Sequence, residues 1–95
     1  MPAYLISTID IKDPAGYEEY RKMVGPALKA FDGKFIVRGG RLEHLEGQWQ
    51  PRRVVVVEFE NLDKARAFWA SPEYAAAKLQ RQRTSESSVI IVEGV

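Results

Sequence analysis

The chain has 95 residues, a net charge of +1 and no cysteine, which excludes disulfides, thiolate metal sites and cysteine nucleophiles. With 45% hydrophobic and 28% charged residues, the composition is that of a single soluble globular domain spanning residues 1–95, and the small charge favours neither nucleic acid nor an anionic membrane. The first residues show no basic segment followed by a long apolar run. We therefore expect a cytoplasmic protein without a membrane segment.

The first third of the chain predicts a strand followed by a helix. Residues 4–11 predict a strand with aliphatic side chains on both of its faces. Asp13–Pro14 then predicts a helix start, because aspartate caps free backbone N–H groups and proline lacks the N–H that would go unpaired. The apolar stripe of this helix ends near Phe31. We expect a kink or broken turn at Gly25–Pro26 and a left-handed residue at Gly33.

The middle of the chain carries the strongest strand signal. Residues 34–38 predict a short strand, and Gly39–Gly40 predicts a bulge after which the alternation resumes over Arg41–Glu46. Four valines closed by glutamate and phenylalanine then occupy residues 54–59, and β-branched residues favour strands. Because both faces of this strand are apolar, both need cover. The link before it is too short for a parallel crossover, so we expect antiparallel pairing with the preceding strand.

The last third predicts a helical region in two pieces and a final strand. Asp63 is the predicted cap of a helix over residues 63–70, Ser71–Pro72 starts a second helix that runs to about residue 83, and residues 87–93 alternate as a strand. The element order βαββαβ predicts an α+β, ferredoxin-like fold, a four-stranded antiparallel sheet with two helices on one face. The other apolar face then needs a second copy, so we predict a homodimer formed through the sheet face.

Eight short motifs stand in the same order as in a known family: Asp13–Pro14 with Tyr17 and Tyr20, Arg38–Gly40, Leu45–Gly47, Val57–Phe59, Ala65 with Phe68, Ser71–Tyr74, Arg81 with Arg83, and Val92–Gly94. Together they resemble family 1330 of the domains of unknown function, bacterial proteins of the dimeric α/β-barrel superfamily. The resemblance implies a ferredoxin-like protomer whose sheet pairs with that of a second protomer. It implies no activity. Superfamily relatives include cofactor-independent monooxygenases, haem-degrading proteins, muconolactone isomerases and dye-decolourising peroxidases, which is an analogy of fold.

Two titratable residues on the predicted strands are candidates for chemistry. His44, the only histidine, could act as a general base or a haem ligand, and the plainer alternative is a surface side chain. Glu58 lies among valines, where a carboxylate must be paired or have a raised pKa. It is a candidate base if it faces the helices and an interface residue if it faces a partner. A buried ion pair with Arg81 or Arg38 is the structural alternative.

Arginines and aromatic residues are candidates for ligand binding. Arg38 and Arg81 could bind a carboxylate or phenolate, with helix capping and surface solubility as the alternatives. Trp69 and Tyr74, with the other aromatics of the helical stripes, could line a pocket for a flat ligand or could simply form the core.

These residues support hypotheses from different classes. The first is a homodimer that binds a small, aromatic or anionic molecule between helices and sheet, in a cavity of a few hundred cubic ångströms beside Trp69 and Tyr74. The alternative is a cofactor-independent monooxygenase or isomerase acting on an aromatic or enol substrate, with Glu58 or His44 as base. An interaction module without a ligand is the third. We predict no cofactor and no metal site. We also predict no nucleic-acid partner, because the strands carry valine and isoleucine where an RNA-binding sheet exposes aromatics.

Overall fold

A computed structural model describes residues 1–95 and contains four strands and three helices. In chain order these are β1 (Ala3–Ile11), α1 (Pro14–Ala30), β2 (Lys34–Arg38), β3 (Val54–Phe59), α2 (Leu62–Ala70), α3 (Pro72–Thr84) and β4 (Ser85–Glu93). The strands form one antiparallel sheet in the order β2-β3-β1-β4. The predicted α+β ferredoxin-like fold is confirmed, with a third helix because Pro72 restarts the second helical region. No helix combines the length and apolar character that crossing a bilayer requires.

The valine strand β3 has different cover on its two faces. Its buried side chains, which pack towards the helices, are Val55, Val57 and Phe59. Its opposite side chains are only partly buried, and with their registered neighbours they form a surface that we call the outer face, consisting of Tyr4, Ile6, Val37, Val54, Val56, Ile90 and Val92. Ile90 is 59% exposed and Val92 is 44% exposed. The helices therefore cover one side of the sheet and leave an apolar surface on the other.

Phe68 of α2 is the centre of the core. Its ring lies 4.3 Å from that of Tyr74, 5.3 Å from that of Phe59 and 6.0 Å from that of Phe31, centroid to centroid. Offset and edge-to-face pairs of this kind stabilise a core beyond the area that they bury. The side chain is 2% exposed. This one residue therefore joins the last residue of β3 to α3 and to the C-terminal end of α1.

The predicted strand at Arg41–Glu46 is wrong. The chain leaves the sheet at Gly39, whose φ of +65° is a left-handed conformation, and residues 41–50 are all exposed and irregular. Alternation of side chains is not enough for a strand, because the backbone also needs a neighbouring strand to pair with. β2 pairs with β3 only over residues 34–38 and is the edge of the sheet, so nothing is available to pair with the segment that follows.

Three predicted helix details also differ from the structure. α1 continues through Pro26, so the broken turn expected there is wrong. The left-handed residue after α1 is Asp32, with φ of 56°, rather than Gly33. Gly33 is instead needed for space, because a Cβ there would lie 2.8 Å from Leu28. The cap of α2 is Asn61, whose side chain accepts a hydrogen bond from the Lys64 backbone N–H at 2.8 Å, rather than Asp63.

We expect Phe68→Ala to lower the free energy of unfolding by about 3–5 kcal/mol, because the substitution removes the ring with its aromatic contacts and leaves a cavity in the core. The matched control is Leu79→Ala on α3, where the side chain is 51% exposed and the expected loss is below about 1 kcal/mol. Urea denaturation followed by circular dichroism measures both. Equal losses in the two variants would show that Phe68 does not organise the core.

Candidate functional site

Arg81 is a buried cation without a carboxylate partner. It lies in the last turn of α3 and is 3% exposed. Its Nε donates to the Tyr74 hydroxyl at 3.3 Å and its Nη1 donates to the hydroxyl of Ser87 on β4. None of the ion pairs in the structure involves it. Burying a charge with neutral partners alone is costly, so this arrangement is typical of a site that accepts an anion.

Two tyrosine hydroxyls extend the polar group around Arg81. The hydroxyl of Tyr20, on α1, lies 3.2 Å from that of Tyr74, on α3. Burial is the main cause that raises the pKa of Tyr20 far above its ordinary value, and the neighbouring Tyr74 adds to the effect. Tyr20 is therefore a neutral hydroxyl at physiological pH. A hydroxyl of this kind can donate to an oxyanion, as can the guanidinium beside it.

The space beside this polar group is small. A cavity of about 20 Å³ borders Tyr20, Tyr74 and Arg81, and an adjoining one of about 30 Å³ extends towards Arg38. Each has room for about one water molecule. The expected cavity of a few hundred cubic ångströms is therefore wrong, because the ring of Phe68 stacks on Tyr74 and fills that volume.

A much larger open groove lies at the edge of the sheet. It measures about 500 Å³ and runs between the C-terminal half of α1 and β2, where Phe35 and Arg38 form part of its wall. α1 packs chiefly against α3 and makes little contact with β2, so a groove remains between α1 and this edge strand. Phe35 borders the groove and both small cavities, so it separates the buried polar group from solvent.

The structure brings four of the six predicted site residues to the helix-facing side of the sheet. Tyr74 and Arg81 are in direct contact, and Trp69 is half-buried with the Arg81 guanidinium 5.7 Å from its ring. Lys78 covers the Trp69 ring at 4.3 Å. Arg38 lies at the edge, over the ring of Phe35 at 4.3 Å.

Glu58 and His44 lie elsewhere. Glu58 is on the outer side of β3, where its cross-strand neighbours are Lys34 and Tyr4. His44 lies in the exposed segment after β2, with its Nε2 2.6 Å from the carbonyl oxygen of Gly47. No group of three histidine, aspartate or glutamate side chains lies close enough together to hold a metal ion.

The sequence did not single out Ser7 or Ser87 of this region, and it indicated Tyr20 only as one of the aromatics of the helical stripes. Ser7 is 5% exposed on the helix-facing side of β1, and Tyr20 and Ser87 contribute hydroxyls to the polar group. Ser7 had a usable signal, because it is a polar residue in the otherwise apolar set of a strand that alternates. Tyr20 belonged to the aromatic stripe of α1, and nothing in the stripe distinguishes a hydroxyl that faces a cation from one that faces solvent.

A sequence model of a protein family, described as a domain of unknown function (DUF1330), matches residues 2–95. The chain belongs to the DUF1330 family. No curated protein matches its sequence significantly. This assignment confirms the resemblance seen in the eight short motifs.

Solved structures similar to this DUF1330 protein share its fold at low sequence identity. A protein of unknown function from Rhodopseudomonas palustris is 16% identical with a TM-score of 0.77, over 99% of this chain and 82% of the other. A dimeric ferredoxin-like protein of unknown function from Jannaschia sp. CCS1 is 12% identical with a TM-score of 0.73, over 99% and 100%. SnoaB, a cofactor-independent oxygenase from Streptomyces nogalater, is 13% identical with a TM-score of 0.59, over 99% and 93%.

We expect alkaline pH to destabilise the protein partly through Tyr20. Its pKa in the folded state is raised above the unfolded value of about 10, so its contribution is complete below that pH and is lost as the pH rises further. Between about pH 9 and 11, the free energy of unfolding should fall more steeply in the wild type than in Tyr20→Phe, by up to about 1.4 kcal/mol per pH unit. Urea denaturation at a series of pH values measures the difference, and identical slopes would contradict it.

Proposed function

We propose that this protein is a homodimer that binds a small anionic molecule between its helices and its sheet. The observation that supports this most directly is the burial of Arg81 beside two tyrosine hydroxyls with no carboxylate to balance its charge. A carboxylate, phenolate or enolate would accept hydrogen bonds from the guanidinium and the hydroxyls together. Charge-assisted bonds of this kind are about twice as strong as neutral ones.

The ligand reaches Arg81 from the groove between α1 and β2. Its acidic group occupies the space beside Tyr74, and its apolar body lies towards the groove, where Phe35 forms the dividing wall. Because the buried cavities are small, binding requires the Phe35 side chain and the adjacent part of α1 to move outwards. The ligand is therefore a small acid with at most a single ring, rather than a large flat molecule.

The second protomer covers the outer face. This surface has apolar residues on all four strands and includes Ile90 and Val92, both of them exposed in the single chain. Large apolar patches of this kind mark protein interfaces. When two copies pack about a two-fold axis, the outer face of each protomer covers that of the other. A cytoplasmic location in a bacterial cell is part of the same proposal, and the absence of cysteine is compatible with a reducing compartment.

The alternative is a cofactor-independent monooxygenase or isomerase. The specific observation in its favour is that Arg81, Tyr74 and Tyr20 place several donors around one small space, as an oxyanion site would require. Glu58 and His44, the two residues suggested as bases, lie outside that space. Oxygen uptake or isomerisation with an aromatic enol, lost in Tyr20→Phe, would favour this alternative over simple binding.

We expect the purified protein to have about twice the 10.8 kDa mass of one chain at micromolar concentration. Ile90→Glu should make it monomeric, because burying an unpaired carboxylate of the outer face in the interface is costly. The control is Leu79→Glu, at a similarly exposed position on α3, which should stay dimeric. Light scattering measures the mass. A monomeric wild type, or a dimeric Ile90→Glu, would contradict the proposed interface.

We expect the monoacids hexanoate and 4-methylbenzoate to bind the wild type and Arg83→Gln equally, and to bind Arg81→Gln at least about tenfold more weakly. Arg83 is a close control, because it lies in the same helical turn but is exposed and bonds only to Gln80. Isothermal titration calorimetry gives the affinities, and circular dichroism checks that each variant is folded. If Arg81→Gln binds the acids as well as the wild type does, the proposed site is wrong.

A further inference from the structure

A second group of arginines lies on the opposite side of the cavities from Arg81. The cavity of about 30 Å³ is lined by Arg21, Arg38 and Arg53, and no acidic residue contributes to its wall. Arg21 has a carboxylate partner, Glu18 at 3.0 Å, whereas Arg38 and Arg53 have none. We call Arg38 and Arg53 the edge pair. Arg38 is the last residue of the edge strand β2, and the Arg53 guanidinium packs against Gly39, which follows it.

The Arg53 guanidinium packs against Gly39 in a position where its Nε has no hydrogen-bond partner. Its backbone carbonyl accepts a hydrogen bond from the Ile9 N–H at 2.9 Å, and its guanidinium lies so close to Gly39 that a Cβ there would collide with it. Its Nε is buried without any hydrogen-bond partner. A buried donor that stays unpaired destabilises the folded state, so an acceptor at this point would be strongly favoured.

Arg81 and the edge pair lie at opposite ends of the helix-facing side of the sheet, and mostly apolar residues lie between them. One row of registered residues crosses the helix-facing side and consists of Arg38, Val55, Ser7 and Val89, from β2 to β4. Three strand spacings separate β2 from β4, about 14 Å between backbones. Arg81 lies over the β4 end, where it bonds to Ser87. Five residues border both cavities, of which three are aliphatic or phenylalanine and two carry hydroxyls: Val24, Phe35, Val55, Ser7 and Tyr20. The space between the cations is therefore mostly apolar.

We propose that the ligand is a dianion, with one acidic group bound by Arg81 and the Tyr74 hydroxyl and the other bound by the edge pair. Its middle is a short apolar chain or ring that contacts Val24, Phe35 and Val55. This inference rests on the proposed function, because it assigns the chemical class of the ligand for the same site. The edge pair selects for the second acidic group, which a monoacid lacks.

The test compares diacids with monoacids of the same length. The pairs are adipate with hexanoate, and terephthalate with 4-methylbenzoate, measured by isothermal titration calorimetry at one fixed ionic strength. At least one diacid should bind the wild type about tenfold or more tightly than its matched monoacid, because the second acidic group gains charge-assisted hydrogen bonds. Arg38→Gln and Arg53→Gln should each reduce this preference, measured as the ratio of diacid to monoacid affinity, severalfold.

Arg52→Gln is the matched control, because Arg52 is exposed and lines neither buried cavity. It should keep the full preference for the diacid. Arg38 lies at the exposed end of an edge strand, so its variant tests the idea even if Arg53→Gln fails to fold. Equal affinities for diacids and monoacids in the wild type, with Arg81→Gln still impaired, would overturn the dianion and leave the proposed function standing. A preference that survives in both edge variants would also overturn it. Failure of every acid to bind would overturn both proposals.

Discussion

The constraint on which this structure depends is that its central strands carry apolar side chains on both faces. The helices can cover only one side of β1 and β3, and the alternation of side chains then decides the surroundings of every residue on those strands. Ser7 and Val55 fall on the covered side, where the dielectric is low and a polar partner has a large effect. Glu58 falls on the outer side with Val54 and Val56. The alternation of side chains along β3 therefore places Glu58 on the side away from the helices, whatever its chemistry.

The aromatic core and the candidate site are parts of one arrangement. Phe68 stacks on Tyr74, which fixes the ring whose hydroxyl accepts from Arg81. Desolvating a guanidinium costs several kcal/mol, and hydrogen bonds to neutral hydroxyls return only part of that. The folded chain therefore holds a buried charge that none of its own carboxylates balances. A protein needs rigid packing around such a group, because otherwise the side chain would turn outwards to water.

Strong local signals in the sequence were sufficient for most of the fold. The Asp13 cap, the valines of β3 and the Ser71–Pro72 restart each predicted an element that the structure contains. The prediction failed at Arg41–Glu46, where alternation is present but no strand is available to pair with. It also failed to separate Glu58 from the site, because the side of a strand that meets the helices is decided by long-range packing. Arg53 carried no signal at all, since its role depends on the space that Gly39 leaves.

The filled interior changes what kind of recognition is possible. A site with a large cavity can select a ligand by shape, but here Phe68 occupies the volume and the remaining spaces admit about one water each. In the proposed binding mode, the ligand enters from the β2 edge, where the strand is only five residues long and α1 packs against α3 instead. Arg38 stands at that edge and Arg81 lies beyond it, with apolar side chains between. In the proposed binding mode, a ligand that crosses this space is distinguished by where its charges lie, so charge spacing rather than cavity shape would determine the selectivity.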